Sequence, residues 1–378
     1  MKQLVVLGSG LVGSAIARDL SRDEDLRLTV VDVSEANLER VASLPRVTPR
    51  RADLSRPQEI AEAVAGADAV VGAVPGRLGF QMLKTVIEAG KPICDISFSP
   101  EDVMQLEGLA RDKGVTAIVD CGVSPGLSNL AIGRAASQLE EIDSAVIYVG
   151  GLPVERVWPY EYRIVFSATD VIEEYTRTAR IIEERRLVTR EALSEVELLD
   201  FPGVGTLEAF NTDGLRTLLS TVSARNMREK TLRYPGHADR MRMLRETGFF
   251  AGEPIDVKGA SVVPRDFTER LLFRAWLRKP DEEELTVLRV IVEGPAPGGE
   301  ARRFTYELFD RTDRATGMTS MARTTGFPCA IMARMLARGA YRDPGVRPPE
   351  FFGRQPDVYE HLVSELGARG VRFGEAGG

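Results

Sequence analysis

Leu4-Val5-Val6-Leu7 is an unbroken apolar run closed by Gly8. From Gly13 to Leu20 the apolar side chains then recur at helical spacing, and a second apolar run follows at 28–33. Runs without polar alternation are strands buried on both faces. The alternation continues with a strand at 47–51, a helix at 57–65 that has Pro57 in its first turn, and a strand at 69–74. A helix at 80–89 stopped by Gly90, a strand at 92–96, a helix at 100–113 stopped by Gly114 and a strand at 116–120 complete it. Six strands alternating with helices predict an α/β fold, a doubly wound parallel sheet of the Rossmann kind, over residues 1–125.

After Gly122-Val123-Ser124-Pro125-Gly126 the rhythm changes. A helix at 127–139 precedes a strand at 144–149 and a turn at Gly150-Gly151-Leu152-Pro153. Strands at 284–292 and 303–309, joined by the Pro/Gly-rich stretch 294–299, read as a hairpin. With the long charged helices around them they predict an α+β domain, with a mixed or antiparallel sheet, over 126–325. A helix at 327–336, ended near Gly339, opens a C-terminal segment, 326–378, expected to return to the first domain.

Composition narrows the partners. A net charge of -7 excludes unaided binding to nucleic acid or an anionic membrane. Cys94, Cys121 and Cys329 have no paired spacing, which speaks against a disulfide framework or a zinc site and for the cytoplasm. Met1-Lys2 before an apolar stretch imitates a secretory signal, with Ala15-Ile16-Ala17 as its cleavage site. Cleavage there would remove a strand–turn–helix unit, so these residues are read as part of a soluble fold. No apolar run reaches the ~20 residues that span a bilayer.

That unit carries the clearest chemistry. Gly8-Ser9-Gly10-Leu11-Val12-Gly13 is a G-x-G-x-x-G fingerprint that follows a strand and opens a helix, and Asp32 ends the second strand 19 residues beyond Gly13. Gly8 allows the tight turn, Gly10 lets the backbone approach a pyrophosphate, and Gly13 allows close helix–strand packing. Asp32 suits the ribose hydroxyls and repels a 2′-phosphate, which predicts NAD rather than NADP. Asp53 and Leu54 are expected to line the adenine pocket, and Ala73, Val74 and Pro75 to run beside the nicotinamide ribose.

In open α/β sheets ligands bind beyond the carboxyl ends of the strands, where Asp95 and Asp120 end the fifth and sixth. Each is an acid–base candidate or a simple cap. Of the two histidines, His361 lies in a charged C-terminal helix. His237 follows Arg233-Tyr234-Pro235-Gly236 and is either a proton carrier or the start of a helix. The polar stretch from Glu208 to Gly214, with Asn211, Thr212 and Asp213, reads as a binding loop or a plain turn.

Asp120-Cys121-Gly122-Val123-Ser124-Pro125-Gly126-Leu127-Ser128-Asn129, Tyr148-Val149-Gly150-Gly151-Leu152-Pro153, Leu207-Glu208-Ala209-Phe210, Arg233 to His237 and Met321-Ala322-Arg323-Thr324-Thr325 together resemble the saccharopine dehydrogenase family. Within it they resemble the NAD-dependent lysine 6-dehydrogenases. The resemblance implies oxidative deamination of the ε-amine of L-lysine by a homodimer or dimer-based homo-oligomer, with no metal. Asp95, Asp120 or His237 would move protons, Glu208 would hold the substrate ammonium and Arg233 its carboxylate, and Thr212 and Arg323 would touch substrate. Two loops depart from the lysine dehydrogenase pattern, at 97–100 and 211–216. Two alternatives stand beside this one. A saccharopine-type reductase would use Arg216 or Arg323 as a second carboxylate anchor, and an NAD-binding regulatory protein would have no turnover.

Overall fold

The structure is a computed structural model that describes residues 1–165, 168–279 and 281–376. Positions 166, 167, 280, 377 and 378, which fall within the expected second domain and C-terminal segment, lie outside the described residues. The chain divides into two compact units. One contains Met1–Leu139, Arg216–Val222 and Met321–Gly374; the other contains Glu140–Leu215, Ser223–Ser320 and Glu375–Gly378.

The chain begins as its apolar rhythm predicts, with β1 (Lys2–Leu7), α1 (Leu11–Leu20), β2 (Leu26–Asp32), α2 (Glu35–Ala42), β3 (Val47–Arg51), α3 (Pro57–Val64), β4 (Ala69–Gly72) and α4 (Gly76–Glu88). It continues through β5 (Ile93–Asp95), α5 (Glu107–Asp112), β6 (Thr116–Ile118) and α6 (Leu127–Ala136). The helix expected at 100–113 starts late. Asp102 accepts from the Met104 N–H at 3.0 Å and caps a single 3-10 turn, Val103–Leu106, before α5.

The second unit runs β7 (Ile142–Pro153), α7 (Ala168–Thr176), β8 (Ala179–Glu183), β9 (Arg186–Arg190), β10 (Glu197–Phe201) and β11 (Gly205–Asn211). The short α8 (Leu218–Thr221) belongs to the first unit, and the second resumes with β12 (Ala224–Arg233) and α9 (His237–Glu246). A small hairpin, β13 (Ile255–Val257) and β14 (Ala260–Val262), precedes α10 (Pro264–Trp276), β15 (Glu284–Pro295) and β16 (Ala301–Arg311). The sheet order is β10-β11-β12-β7-β15-β16, antiparallel except where β7 and β12 run parallel.

Two expected turns are strands here. β7 continues to Pro153, which pairs with Glu284, so Gly150-Gly151-Leu152-Pro153 is not a turn. Gly150 is glycine because a Cβ there would fall 2.7 Å from both Cβ and O of Leu232. Glu208 to Asn211 likewise belong to β11 rather than to a loop.

The chain then returns to the first unit with α11 (Ser320–Arg338), β17 (Gly345–Arg347), α12 (Pro349–Gly353) and α13 (Pro356–Ala368). The first sheet is β17-β6-β5-β4-β1-β2-β3, parallel throughout. Its order reverses at β1, so the segments after β1 and β4 flank the crevice where doubly wound sheets take ligands. Among the described residues no helix is long and apolar enough to cross a membrane, and no cluster of metal-ligating side chains occurs.

Candidate active site

The glycines after β1 divide by what surrounds them. Gly8 has φ +100°, and a Cβ on it would lie 2.2 Å from the Ala73 carbonyl oxygen. A Cβ on Gly13 would lie 2.1 Å from the Gly8 carbonyl oxygen, so these two residues let α1 and β4 close on the turn. Gly10 is different. A Cβ there meets nothing within 4 Å, and as N-cap of α1 it has no side-chain cap. The chain itself gains nothing from a glycine at that position, whereas a phosphate seated on the helix N–H groups needs the bare backbone. Leu11 and Val12 open that helix. These residues fit a dinucleotide.

Asp32 braces the turn. Its Oδ2 accepts from the Ser9 N–H at 2.7 Å and from Asn37 Nδ2 at 3.3 Å, and its Oδ1 accepts from the Ser34 N–H at 2.8 Å. The Ser9 hydroxyl donates to the Asn37 carbonyl at 3.0 Å. The expected adenine and ribose contacts need correction. Leu54 and Val74 are buried in the core with Ile60 and Val70, so their side chains support the sheet. Asp53 accepts from the N–H and hydroxyl of Ser55, and Pro75 is the N-cap of α4. The Ala73 N–H donates to the Leu7 carbonyl at 2.8 Å.

Asp95 and Asp120 come together at the carboxyl edge of the same sheet. The Cys121 N–H donates to the Asp95 carbonyl at 3.0 Å. The Asp95 side chain lies over β4, where a Cβ on Gly72 would sit 2.2 Å from its Oδ1; that oxygen accepts from Ser97 Oγ at 2.7 Å and Ser97 N at 3.2 Å. Burial pushes the Asp95 carboxyl up to about 7, and the Asp120 charge adds to the rise. Asp120 is raised by burial against the opposing pull of Arg216.

Arg216 completes this group. Its Nη2 is 3.4 Å from Asp120 Oδ1, its Nη1 donates to the Ser99 carbonyl, and its guanidinium stands 4.7 Å over the Phe98 ring. Asp120 Oδ2, Arg216 Nε and Ser99 Oγ are buried with no hydrogen-bond partner. Buried polar atoms are nearly always satisfied, so an acceptor and a donor left open on one ion pair mark a place for a polar ligand, while Ser99 Oγ lies against α4, 2.2 Å from where a Cβ on Gly79 would sit. Sequence reasoning proposes Arg216 as a second carboxylate anchor, and singles out 97–100, with Ser97, Phe98 and Ser99, as a loop that departs from the lysine dehydrogenase pattern, without assigning those residues a role.

The other candidates have partners within the fold. His237 bonds the Tyr175 hydroxyl through Nε2 at 2.9 Å and the Tyr160 carbonyl through Nδ1 at 3.1 Å. Burial and the Arg233 charge lower its pKa to about 3. The ring is held neutral with both nitrogens engaged inside the protein. Glu208 accepts from the N–H groups of Gly236 and Ala238, so it caps α9 rather than a substrate ammonium. Arg233 is committed to Glu174 and the Leu232 carbonyl, over the Tyr162 ring. Thr212 donates to Glu229, a buried acid pushed up to about 8 that sequence reasoning also misses. Arg323, on α11, donates to the Arg369 carbonyl at 3.3 Å.

Residues 4–118 match the saccharopine dehydrogenase NADP binding domain, and residues 122–371 match the saccharopine dehydrogenase C-terminal domain. The mitochondrial α-aminoadipic semialdehyde synthase of Bos taurus is 23% identical over 98% of this chain and 47% of its own length. The chain thus spans about half the length of that relative. The saccharopine dehydrogenase [NADP(+), L-glutamate-forming] of Schizosaccharomyces pombe is 21% identical over 99% of both chains. The apo histidine-tagged saccharopine dehydrogenase (L-Glu forming) from Saccharomyces cerevisiae shares the fold, with TM-score 0.81 at 18% identity over 100% of this chain and 99% of that one. The names of both matched domains and of the two yeast proteins carry saccharopine, and those of the first domain and the Schizosaccharomyces pombe protein carry NADP, where the sequence motifs imply lysine and NAD. With the two matched domains covering nearly all of it, the first of them a nicotinamide dinucleotide-binding domain, the chain belongs to the saccharopine dehydrogenase family.

Proposed function

We propose that the protein is an NAD-dependent oxidoreductase that deaminates the side-chain amine of an amino acid, the ε-amine of L-lysine first. The observation that carries this reading is the Asp95–Asp120–Arg216 cluster, with its open Asp120 Oδ2, at the sheet edge that bears the glycine turn. Asp120 is paired with Arg216, which leaves Asp95 as the carboxyl that can take a proton from a cationic amine.

NAD, when bound, supplies the hydride acceptor. The helix N-terminus left bare at Gly10 would hold its phosphates and Asp32 its ribose, with Gly8 and Gly13 shaping the turn. A 2′-phosphate would meet the Asp32 carboxylate with no cation among residues 33–37, which favours NAD over the NADP of the named relatives. An ammonium must lose a proton before its carbon can release hydride, and a carboxyl near 7 is suited to take it at neutral pH. Asp120 Oδ2 accepts from the remaining N–H. Arg216 Nε holds the water that then adds at the imine carbon, and the carbinolamine so formed breaks its C–N bond, releasing ammonia and leaving the aldehyde.

The names of the relatives favour a second reading, a saccharopine-type dehydrogenase. The test is spectrophotometric: the purified chain with NAD and L-lysine, ornithine or diamines, against saccharopine with NAD or NADP. NADH formed with lysine supports the first reading, and turnover confined to saccharopine replaces it with the second. Tight NADH binding without turnover leaves the regulatory alternative. Asp32→Asn should narrow the preference for NADH over NADPH in a fluorescence titration.

A further inference from the structure

Arg216 heads a segment that cannot hold itself in place. Arg216–Val222 belongs to the first unit, although the chain on either side of it belongs to the second. Its helix, α8, is a single turn of four residues, and a lone turn is unstable in water. Arg216 itself has left-handed backbone, with φ +53°. Groups outside the segment must fix it, and two buried side chains do so.

The first is Glu350, on α12, which is 0% exposed and pairs with no cation among the described residues. Its Oε1 accepts from the Thr221 hydroxyl, and its Oε2 accepts from Asn129 Nδ2 at 3.1 Å. Burial raises its carboxyl, and hydrogen bonds from Thr221, Thr217 and Asn129 oppose the rise. The second is Asn129, on α6, which is also 0% exposed. Besides Glu350, its Nδ2 donates at 3.4 Å to the hydroxyl of Thr217, the residue after Arg216. Its Oδ1 accepts from the Gly126 N–H at 3.2 Å and from the Ser128 hydroxyl at 3.0 Å. Asn129 thus grips both the loop that leaves Asp120 and the segment that follows Arg216. Two glycines let the helices bearing this pair touch backbone to backbone. A Cβ on Gly133 of α6 would fall 2.1 Å from the Glu350 carbonyl oxygen, and one on Gly353 of α12 would fall 2.2 Å from that of Leu130. A carboxyl buried without a cation costs stability, so it is a poor device for holding a fold together. Its hydrogen bonds go instead to the two stretches that carry the Arg216–Asp120 pair.

We propose that Glu350 and Asn129 are positioning residues for that pair, fixing its two backbones so that Arg216 Nε and Asp120 Oδ2 stay aimed at a ligand. The positioning belongs to the fold, and its effect on turnover rests on the reading that this pair meets the substrate. Urea unfolding checks the first and steady-state kinetics the second. In the wild type, Arg216→Ala and Asp120→Asn should be strongly non-additive, and in a Glu350→Ala background that non-additivity should fall by more than half. Thr217→Val, which removes only a hydroxyl, should act in the same direction, and Thr217→Ser should restore it. That second comparison decides the matter if Glu350→Ala does not fold. With lysine or saccharopine, whichever turns over, kcat/KM should fall about 10- to 100-fold in Glu350→Ala and Thr217→Val while NADH binding is unchanged. Additive effects in the wild type, non-additivity that survives both changes, or Thr217→Ser behaving like Thr217→Val would overturn the proposal. Non-additivity that falls while turnover holds supports the positioning and removes the pair from the reaction.

Discussion

Arg216 and Asp120 face each other at 3.4 Å inside the first unit, and both have left-handed backbone, with φ +53° and +52°. Bulky residues in this region cost about 1–3 kcal/mol each and persist only where the surroundings enforce them. Here the enforcement is mutual, because the guanidinium bridges the Ser99 carbonyl and the Asp120 carboxylate. Both side chains are thereby aimed while Arg216 Nε and Asp120 Oδ2 stay open.

Removing one member should be worse than neutralising both. Arg216→Ala leaves a buried carboxylate alone and should cost about 3–5 kcal/mol of stability. Adding Asp120→Asn should recover a large part of that, because the isolated charge is gone. Urea unfolding of the two single variants and the double variant measures the coupling. Additive single effects would show that the pair is not linked.

Asp95 sets a pH dependence whose sign is fixed. A base works unprotonated, so kcat/KM should rise with pH through about 7 and level off above it. Asp95→Asn should lower kcat by about 10²–10⁴-fold and abolish that limb. Stability runs the other way. A carboxyl raised on folding favours the native state below its unfolded value and loses that contribution as pH rises through about 7. Asp95→Asn should therefore flatten the fall in melting temperature between acid and neutral pH.

What a sequence shows depends on how far away the cause lies. β1 to β6 are legible because their apolar runs and the glycine stops at Gly90 and Gly114 are local. β17 is not, since Gly345-Val346-Arg347 buries an arginine that needs Glu107 and Asp343 as partners. Gly150 has the composition of a turn, yet its reason is Leu232 on a neighbouring strand. The glycine turn between β1 and α1 is legible because glycine spacing and Asp32 fall within one strand–helix–strand unit. The acid pair at the sheet edge is half legible. Strand ends identify Asp95 and Asp120, but Arg216 lies 96 positions from Asp120 and only folding joins them. Glu208 and His237 mislead because their partners are also distant, an N-terminal helix cap and an aromatic core.

Glu229 offers a second pH test, in the other unit. It is buried beneath the 212–214 segment, accepts from the Thr212 hydroxyl, and would lie 2.5 Å from a Cβ on Gly214. Burial pushes its carboxyl up to about 8. By the same linkage, its stabilising share is complete below the ordinary glutamate range and disappears as pH rises through about 8. Glu229→Gln keeps the hydrogen bonds without the titration. Its melting temperature should match wild type in acid and exceed it above pH 8. A variant less stable than wild type at alkaline pH would show that the ionised carboxylate is the form the fold requires.

The glycine fingerprint allows the sharpest separation of folding from binding. At Gly10 the backbone is extended, with φ -65° and ψ -160° and no left-handed strain, and the new Cβ meets no atom within 4 Å. Losing a glycine stabilises by about 0.4–1 kcal/mol through the unfolded chain, while alanine is a poorer N-cap by a similar amount. Gly10→Ala should therefore melt close to wild type. Its methyl would occupy the space a phosphate needs, and losing one charge-assisted bond of about 1.5–3 kcal/mol weakens NADH roughly 10- to 150-fold. Gly13→Ala should behave in the opposite order. Its Cβ falls 2.1 Å from the Gly8 carbonyl oxygen, so α1 must move off β1. Overpacking of that kind costs about 1–3 kcal/mol or more, and binding then fails as a consequence of the displaced turn. Calorimetric melting with a fluorescence titration of NADH separates the two. If Gly10→Ala lowered the melting temperature as far as Gly13→Ala, the open backbone at Gly10 would be a requirement of folding rather than of the cofactor.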